Sequence, residues 1–392
     1  MKALVIAPQP FFSPRGTPFS VYYRTQVMAE MGAEIDLLTY GEGEDVDLPG
    51  VRIIRIPRIR PLEPVKIGPS PAKAVLDVLM VLWTLGLLLR RRYDYVHAHE
   101  EAVFWCRVLK PIFRFRLAYD MHSSLPQQLT NFGFTKSKLL IGLFRRLEDQ
   151  ALKASDAVIT ICPDLADYAL ERGVDPDRHF LIENSIFEDV RLSDQDGKPG
   201  EAEAAEVPAP QGPRVVYAGT FEPYQGVDLL IEAFAAVRQQ RSDAELLMVG
   251  GRPEQVAQMR ELAADRGLNG SCVFTGRVPK PEARRLLETA DIMVSPRREG
   301  TNTPLKVYEQ LASGRPLVAT DIWSHTQVLS PEVCFLAQPA PDAFAAGLLG
   351  ALQDPEEARK RARAARELYD RAYSRSAYES KMRDFLSAVV SD

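Results

Sequence analysis

The chain has 392 residues, 46% of them hydrophobic and 26% charged, with a net charge of -5. That is the composition of a globular protein too long for one ordinary core, so two α/β domains are expected. Its four cysteines (Cys106, Cys162, Cys272, Cys334) lack paired spacing, which argues against a zinc site or a disulfide framework and fits a reducing cytoplasm.

Met1–Pro8 reads as a first strand (Ala3–Ala7) and not as a signal peptide. A helix over Phe19–Met31, a strand over Glu34–Thr39 and a strand over Val51–Ile56 follow. Val75–Leu89 is a nearly continuous apolar run inside a long helix, Ala74–Arg92. Its roughly 15 residues fall short of the ~20 a bilayer span needs, and it contains Asp77, so it is expected to be a buried helix. Strands at Tyr95–Ala98, Arg116–Tyr119 and Ala157–Ile161 complete the half, the last two flanking a helical stretch over Lys136–Lys153. Strands that alternate with helices predict a parallel, doubly wound sheet.

Charge is unevenly placed. Between Val51 and Arg146, 17 Lys and Arg stand against 6 Asp and Glu, so the rest of the chain is strongly acidic. A basic zone in an acidic protein points to a local anionic partner: phospholipid head groups, a polyprenyl-phosphate acceptor or a donor phosphate. No aromatic–basic binding module or nucleic-acid fold is present, so nucleic acid is not expected. Trp105, Arg107, Lys110, Phe113, Arg114, Phe115 and Arg116 interleave aromatic and basic residues, and Lys136–Arg146 has the pattern of an amphipathic basic helix. Either these aromatics are core and the cations a solvated face, or the 105–146 region is a peripheral membrane contact.

Ser193–Pro213 is rich in Asp, Glu, Gly, Pro and Ala without periodicity and reads as a linker between residues 1–192 and 214–372. A second α/β series follows: strand Arg214–Ala218, helix Val227–Arg238, strand Leu246–Val249, helix Glu254–Arg266, strand Cys272–Thr275, helix Pro281–Thr289 and strand Asp291–Ser295. Then comes Arg297-Arg298-Glu299-Gly300-Thr301-Asn302-Thr303-Pro304-Leu305-Lys306-Val307-Tyr308-Glu309, a polar loop running into a helix that closes at Ser313-Gly314. Pro316 opens the next strand, Leu317–Ala319. A loop at the carboxyl end of a parallel strand that feeds a helix N-terminus is where open α/β sheets bind anions. Here it offers backbone N–H groups, hydroxyls, Lys306 and two arginines for phosphates, and Glu309 for ribose hydroxyls. Helices Pro341–Leu352, Pro355–Tyr369 and Tyr378–Val389 end the chain.

This loop resembles the nucleotide-sugar loop of retaining glycosyltransferases of family 4, and the resemblance extends over nearly the whole chain. It implies the GT-B fold: two doubly wound Rossmann-like domains facing each other across a cleft, with residues 373–392 packing back on the N-terminal domain. It implies transfer of a hexose-type sugar from a nucleoside-diphosphate sugar to a glycan or lipid-linked acceptor, with retention at the anomeric carbon and no bound cofactor. By the resemblance, Glu309 grips the ribose, while Thr301 stands where the family's first Glu contacts the transferred sugar, with Asn302 and Thr303 beside it. Gly219 and Thr220 belong to the first loop of the C-terminal domain, where Thr220 and Gln225 replace an Arg and a Lys that normally hold the diphosphate. Arg252, Arg277, Arg297 and Lys306 are the candidates to supply the missing charge, and Arg277-Val278 ends the strand where the base docks. In the N-terminal half, Gly16 of Pro14-Arg15-Gly16-Thr17-Pro18 matches the family's glycine loop, and His122 matches a histidine beside the transferred sugar. His97 and His99 read as scaffold or acceptor wall. No carboxylate–histidine group has metal-ligand spacing, so no catalytic metal is expected. The catalytic set is therefore His122, Lys306 and Glu309. The departures at Thr220, Gln225 and Thr301 keep two other readings open, a non-catalytic GT-B scaffold and a sugar-nucleotide 2-epimerase-like isomerase. The setting expected is cytoplasmic, with contact to the inner membrane face left open.

Overall fold

Unbroken apolar strands need cover on both faces. β1 (Lys2–Ala7) is such a strand, and β2 (Glu34–Thr39) and β4 (Tyr95–His99) are buried almost end to end although they carry Asp36, Thr39, His97 and His99. The computed structural model describes residues 1–13, 16–65, 70–127, 137–184 and 207–390. They form two units, Met1–Gln195 with Ser374–Asp392, and Asp196–Tyr373.

In the first unit seven strands pair in the order β3-β2-β1-β4-β5-β6-β7, all parallel. The others are β3 (Val51–Arg55), β5 (Arg116–Met121), β6 (Ala157–Thr160) and β7 (His179–Leu181). Helix α1 (Gly16–Glu30) lies on one face. On the other lie α2 (Pro71–Arg90), α3 (Ala102–Phe113), α4 (Lys138–Ala154) and α5 (Pro163–Glu171). Helix α3 was not anticipated as a helix; its buried stripe is Ala102, Val103 and Cys106.

Helix α2 starts where the local chemistry dictates. Ser70 accepts a hydrogen bond from the Lys73 N–H, and Pro71 occupies the first helical turn. Its burial departs from expectation. The helix is 20 residues long, its apolar window has a mean hydropathy of 2.0, and only 22% of that window is buried. Leu76, Met80, Leu87 and Leu88 join the core, whereas Val75, Val78, Leu82 and Leu89 face outward. The apolar run is continuous because both faces are apolar, and burial accounts for only one of them.

In the second unit six parallel strands run β10-β9-β8-β11-β12-β13. They are β8 (Arg214–Ala218), β9 (Glu245–Val249), β10 (Cys272–Gly276), β11 (Ile292–Ser295), β12 (Leu317–Thr320) and β13 (Phe335–Ala337). The helices are α6 (Val227–Gln240), α7 (Pro253–Asp265), α8 (Lys280–Leu287), α9 (Leu305–Ser313), α10 (Trp323–Thr326), α11 (Pro341–Gln353) and α12 (Pro355–Ala372). Residues 193–206 of the expected linker lie outside the described residues. Of the remainder, Val207 packs on this unit's core and the Pro208 carbonyl accepts from Arg214, so 207–213 is laid onto the second unit.

The last helix, α13 (Arg375–Val390), belongs to the first unit. Tyr378, Met382, Phe385 and Val389 share one face and are all buried over β5, β6, β7 and α1, with Phe385 edge-on to Tyr95 and Phe180. At ~1.5–3 kcal/mol per buried side chain, that face is a main support of the α1 side of the sheet.

Candidate functional site

Open α/β sheets bind ligands where the strand order reverses, outside the carboxyl ends. In the second unit the reversal falls between β8 and β11. The loops leaving these strands are Gly219–Gly226 and Pro296–Pro304, the two segments singled out in the sequence. They are tied together: the Arg298 N–H donates to the Tyr224 carbonyl at 2.9 Å, and the Arg298 guanidinium pairs with Asp228 at 2.9 Å. Gly226 permits this closeness. Its φ is +67°, and a Cβ there would come 2.1 Å from the Pro296 carbonyl oxygen. Gly250, at the end of β9, stands under the same constraint against Gly219, at 2.0 Å.

Into this junction comes Lys306, from the first turn of α9. Its Nζ donates to Gln225 Oε1 at 2.9 Å and lies 4.7 Å from the centroid of the Tyr217 ring. A cation from α9 thus meets Gln225 of the β8–α6 turn. Burial of the ammonium, reinforced by the Arg297 charge, pulls Lys306 down to about 7 from an ordinary 10.5. Arg297 stacks over Tyr224 at 5.2 Å and donates to the Glu299 carbonyl at 2.6 Å. Its burial likewise lowers its proton affinity. Glu309 follows Lys306 by three residues, so the two share a helix face.

The other candidates are distributed around this pair. Thr220 is exposed on the β8–α6 turn, and its carbonyl accepts from Tyr217 Oη at 2.6 Å. Arg252 pairs with Glu222 of that turn at 3.3 Å, so it is partly neutralised. Arg277 is exposed and Val278 half-buried at the end of β10, and neither is linked to Lys306. Glu299 and Thr301 are exposed; the Thr301 carbonyl accepts from Gln327 at 2.5 Å. Asn302 and Thr303 are half-buried, and the Thr303 hydroxyl is buried without a partner among the described residues. Of the four cations expected to converge, the structure brings together two.

A residue that sequence reasoning missed sits beneath this loop. His325, in the single turn α10, is fully buried. Its Nε2 meets Ser295 Oγ at 2.9 Å and its Nδ1 faces the Thr320 carbonyl at 2.9 Å; Thr320 Oγ1 in turn donates to the Arg297 carbonyl. Burial lowers it to about 4, so it is neutral and braces the ends of β11 and β12. Its one sequence signal is a histidine just beyond a strand end.

In the first unit the reversal lies between β1 and β4. Residues 14–15 of the glycine loop lie outside the described residues; Gly16 is the first residue of α1. His97 and His99 on β4 and Asp120 on β5 share one face of the sheet with His122. Asp120 Oδ2 accepts from Arg24 at 2.6 Å and lies 2.9 Å from His97 Nε2 and 3.2 Å from His99 Nδ1. His122 Nε2 is 3.3 Å from Asp120 Oδ1 and 3.1 Å from His99 Nδ1. Burial would raise the Asp120 carboxyl, but the Arg24 guanidinium and the surrounding histidines hold it well below the usual range. Burial lowers His122 to about 4 and His97 and His99 below their usual range, so the cluster is one charged pair wrapped in neutral imidazoles. Linear spacing announced no metal group, yet folding brings His97, His99 and Asp120 within 4.8 Å of one another. Their chemistry does not suit a cation: the guanidinium already holds the carboxylate, and its charge repels a second one.

On the sheet face opposite this cluster a cavity of about 400 Å3 opens between α2, α3 and α4, walled by Phe104, Trp105, Leu125, Leu140 and Phe144. Its polar end holds Asp77 and the Lys73–Glu101 ion pair, 2.8 Å apart. Burial, with the Glu101 charge behind it, raises Asp77 to about 7. Of the basic region, Lys136 lies outside the described residues. Trp105 is half-buried and donates to Thr84 at 3.2 Å, Phe115 is core, and Leu139 at 88% and Leu143 at 51% are exposed on α4. The segment is thus core at Phe115 and solvent-facing at Leu139 and Leu143.

Two family models match the chain, the Glycosyl transferase 4-like domain at residues 22–185 and Glycosyl transferases group 1 at 212–354. The phosphatidyl-myo-inositol mannosyltransferase of Mycolicibacterium smegmatis is 25% identical over 375 residues, 91% of this chain and 86% of that protein. The D-inositol 3-phosphate glycosyltransferase of Jonesia denitrificans is 29% identical over 156 residues, 38% of this chain but only 37% of that protein. Among solved structures, HepE of Anabaena in complex with UDP superposes with a TM-score of 0.71 at 14% identity, covering 99% of this chain and all of that one. The chain belongs to the family 4 glycosyltransferases of GT-B fold, enzymes that move a sugar from a nucleotide-sugar donor to an acceptor.

Proposed function

We propose that the second unit binds a nucleoside-diphosphate hexose, with Lys306 and Arg297 on the diphosphate and Glu309 on the ribose. The observation that carries this reading is the Lys306–Gln225 contact at 2.9 Å: the charge lost from the β8–α6 turn is resupplied by α9. Protonated Lys306 stabilises the departing diphosphate electrostatically, without a metal, and orientation supplies the rest of the acceleration. The UDP in the HepE complex supports a nucleoside diphosphate as the ligand.

The acceptor belongs to the first unit. His122, neutral and held by Asp120 and His99, is the hydrogen-bonding group that the family resemblance assigns to the reaction, and retention of anomeric configuration follows the family. A lipid-linked acceptor is favoured over a soluble glycan by the apolar cavity beside Asp77 and Glu101 and by the phosphatidyl-myo-inositol substrate in the mannosyltransferase's name. On this reading the enzyme works in the cytoplasm and touches the inner face of the membrane through the 105–146 region.

The test is turnover of UDP-, GDP- and ADP-hexoses with and without a membrane lipid extract. Transfer of label into the lipid phase from one donor supports the reading. Epimerisation of a donor without acceptor, or no turnover of any donor, overturns it.

A further inference from the structure

Helices α2, α3 and α4 form one layer over the first unit's sheet. Trp105 Nε1 donates to Thr84 at 3.2 Å between α2 and α3, and Lys110 Nζ donates to the carbonyl of Ala154, the last residue of α4, at 2.7 Å. This layer carries eight of the thirteen exposed large hydrophobic residues found among the described residues. On α2 they are Val75, Val78, Leu82 and Leu89, at helical spacing along a single stripe. The helix is about 30 Å long, so the stripe is a line and not a spot. Its inward face is core, which rules out burying the whole circumference in lipid and suits a helix lying flat.

At the C-terminal ends of α2 and α3 the stripe runs into a groove of about 870 Å3 lined by Arg90, Arg91, Arg92, Arg114 and Arg116, together with the exposed Leu89 and Ile112. Arg91 is committed to Glu34 and Asp36, at 2.5 and 2.9 Å. The guanidiniums of Arg90, Arg92 and Arg114 have no hydrogen-bond or ion-pair partner among the described residues, and all three residues are exposed. Unpaired arginines bordering an apolar stripe match a layered partner, apolar chains below and phosphate above.

We propose that this face docks on an anionic bilayer: the α2 stripe, with Val108 and Ile112 of α3, enters the acyl boundary, and the arginine groove takes the phosphate of an acidic phospholipid. The proposal deepens the lipid-acceptor reading and rests on it. It moves the principal contact from the basic segment of α4 to α2 and the groove.

The test is flotation of the full chain with vesicles of phosphatidylcholine alone or mixed with phosphatidylglycerol. Wild type is expected to float only with the mixed vesicles. Each cation near an anionic surface contributes about fivefold to partition, so Arg90→Glu with Arg92→Glu and Arg114→Glu should weaken binding by on the order of 100-fold or more. Val78→Asp with Leu82→Asp should abolish it, because both side chains are exposed and the fold does not depend on them. Both variants should keep their nucleotide-induced thermal shift, which reads the second unit alone. If the arginine variant floats like wild type while Lys138→Gln with Arg145→Gln and Arg146→Gln does not, the groove is refuted and peripheral contact through α4 stands. If wild type floats with neither vesicle, both readings of the membrane fail. If it self-associates, and Val78→Asp with Leu82→Asp makes it monomeric, the stripe is a protein interface and the proposal falls.

Discussion

Lys306→Met should stabilise the fold while removing donor binding. The buried ammonium is drawn down to about 7 from 10.5, so the unfolded chain holds its proton more tightly across that window. The cost is fully present below about pH 7 and is relieved as the pH rises towards 10.5, where both states are neutral. At about 1.4 kcal/mol per pH unit, the full cost at pH 7 is on the order of 4 kcal/mol. The Gln225 hydrogen bond and the Tyr217 ring return part of it, leaving a net gain of about 1–2 kcal/mol for the isosteric methionine. In a domain of this size that is a rise in Tm of roughly 2–8 °C, largest at and below about pH 7 and fading by about pH 10. Donor affinity should fall by at least about 30-fold, the loss of about 2 kcal/mol expected when one partner of a desolvated charge pair is truncated. Differential scanning calorimetry across pH and titration calorimetry with nucleoside diphosphates read the two effects. A variant that melts lower than wild type and binds diphosphate equally well would refute the reasoning.

Glu299→Ala should leave diphosphate affinity within about twofold, since its side chain is exposed and its carbonyl serves Arg297; a loss as large as that of Lys306→Ala in the same titration would sink the placement of the loop. Asp120→Asn strands the Arg24 charge at zero exposure and should destabilise the first unit by about 3–5 kcal/mol in urea unfolding. Gly226→Ala meets both a φ of +67° and the Pro296 oxygen at 2.1 Å, so a loss of at least about 2 kcal/mol and weaker diphosphate binding are expected together. Phe385→Ala opens a cavity under α13 and should cost about 3–5 kcal/mol, read as a shift of the denaturation midpoint.

Strand–helix alternation was legible because parallel strands must be apolar throughout and helices periodic, and so both doubly wound sheets were readable. The loop proposed to hold the donor was legible as a strand–loop–helix for a local reason: it is one contiguous segment between β11 and α9. What escaped depends on contacts that no spacing encodes. Lys306 and Gln225 lie 81 residues apart, and His325 reaches Ser295 across 30. The Arg24–Asp120 pair and its histidines are gathered from α1, β4, β5 and the loop after β5 only by sheet register. Helix α2 was misread because continuous hydrophobicity says that a helix is apolar all round, not that both sides are covered.

The central claim is that α9 now carries the donor's diphosphate anchor. Titration calorimetry of the wild-type chain and of Lys306→Met with UDP, GDP and ADP tests it directly. The account predicts saturable binding of at least one of the three by wild type, weakening as the pH is raised above about 7 because Lys306 loses its proton, and a collapse of that binding in the variant. Binding that survives the substitution unchanged, or a wild type that binds none of the three, would contradict it.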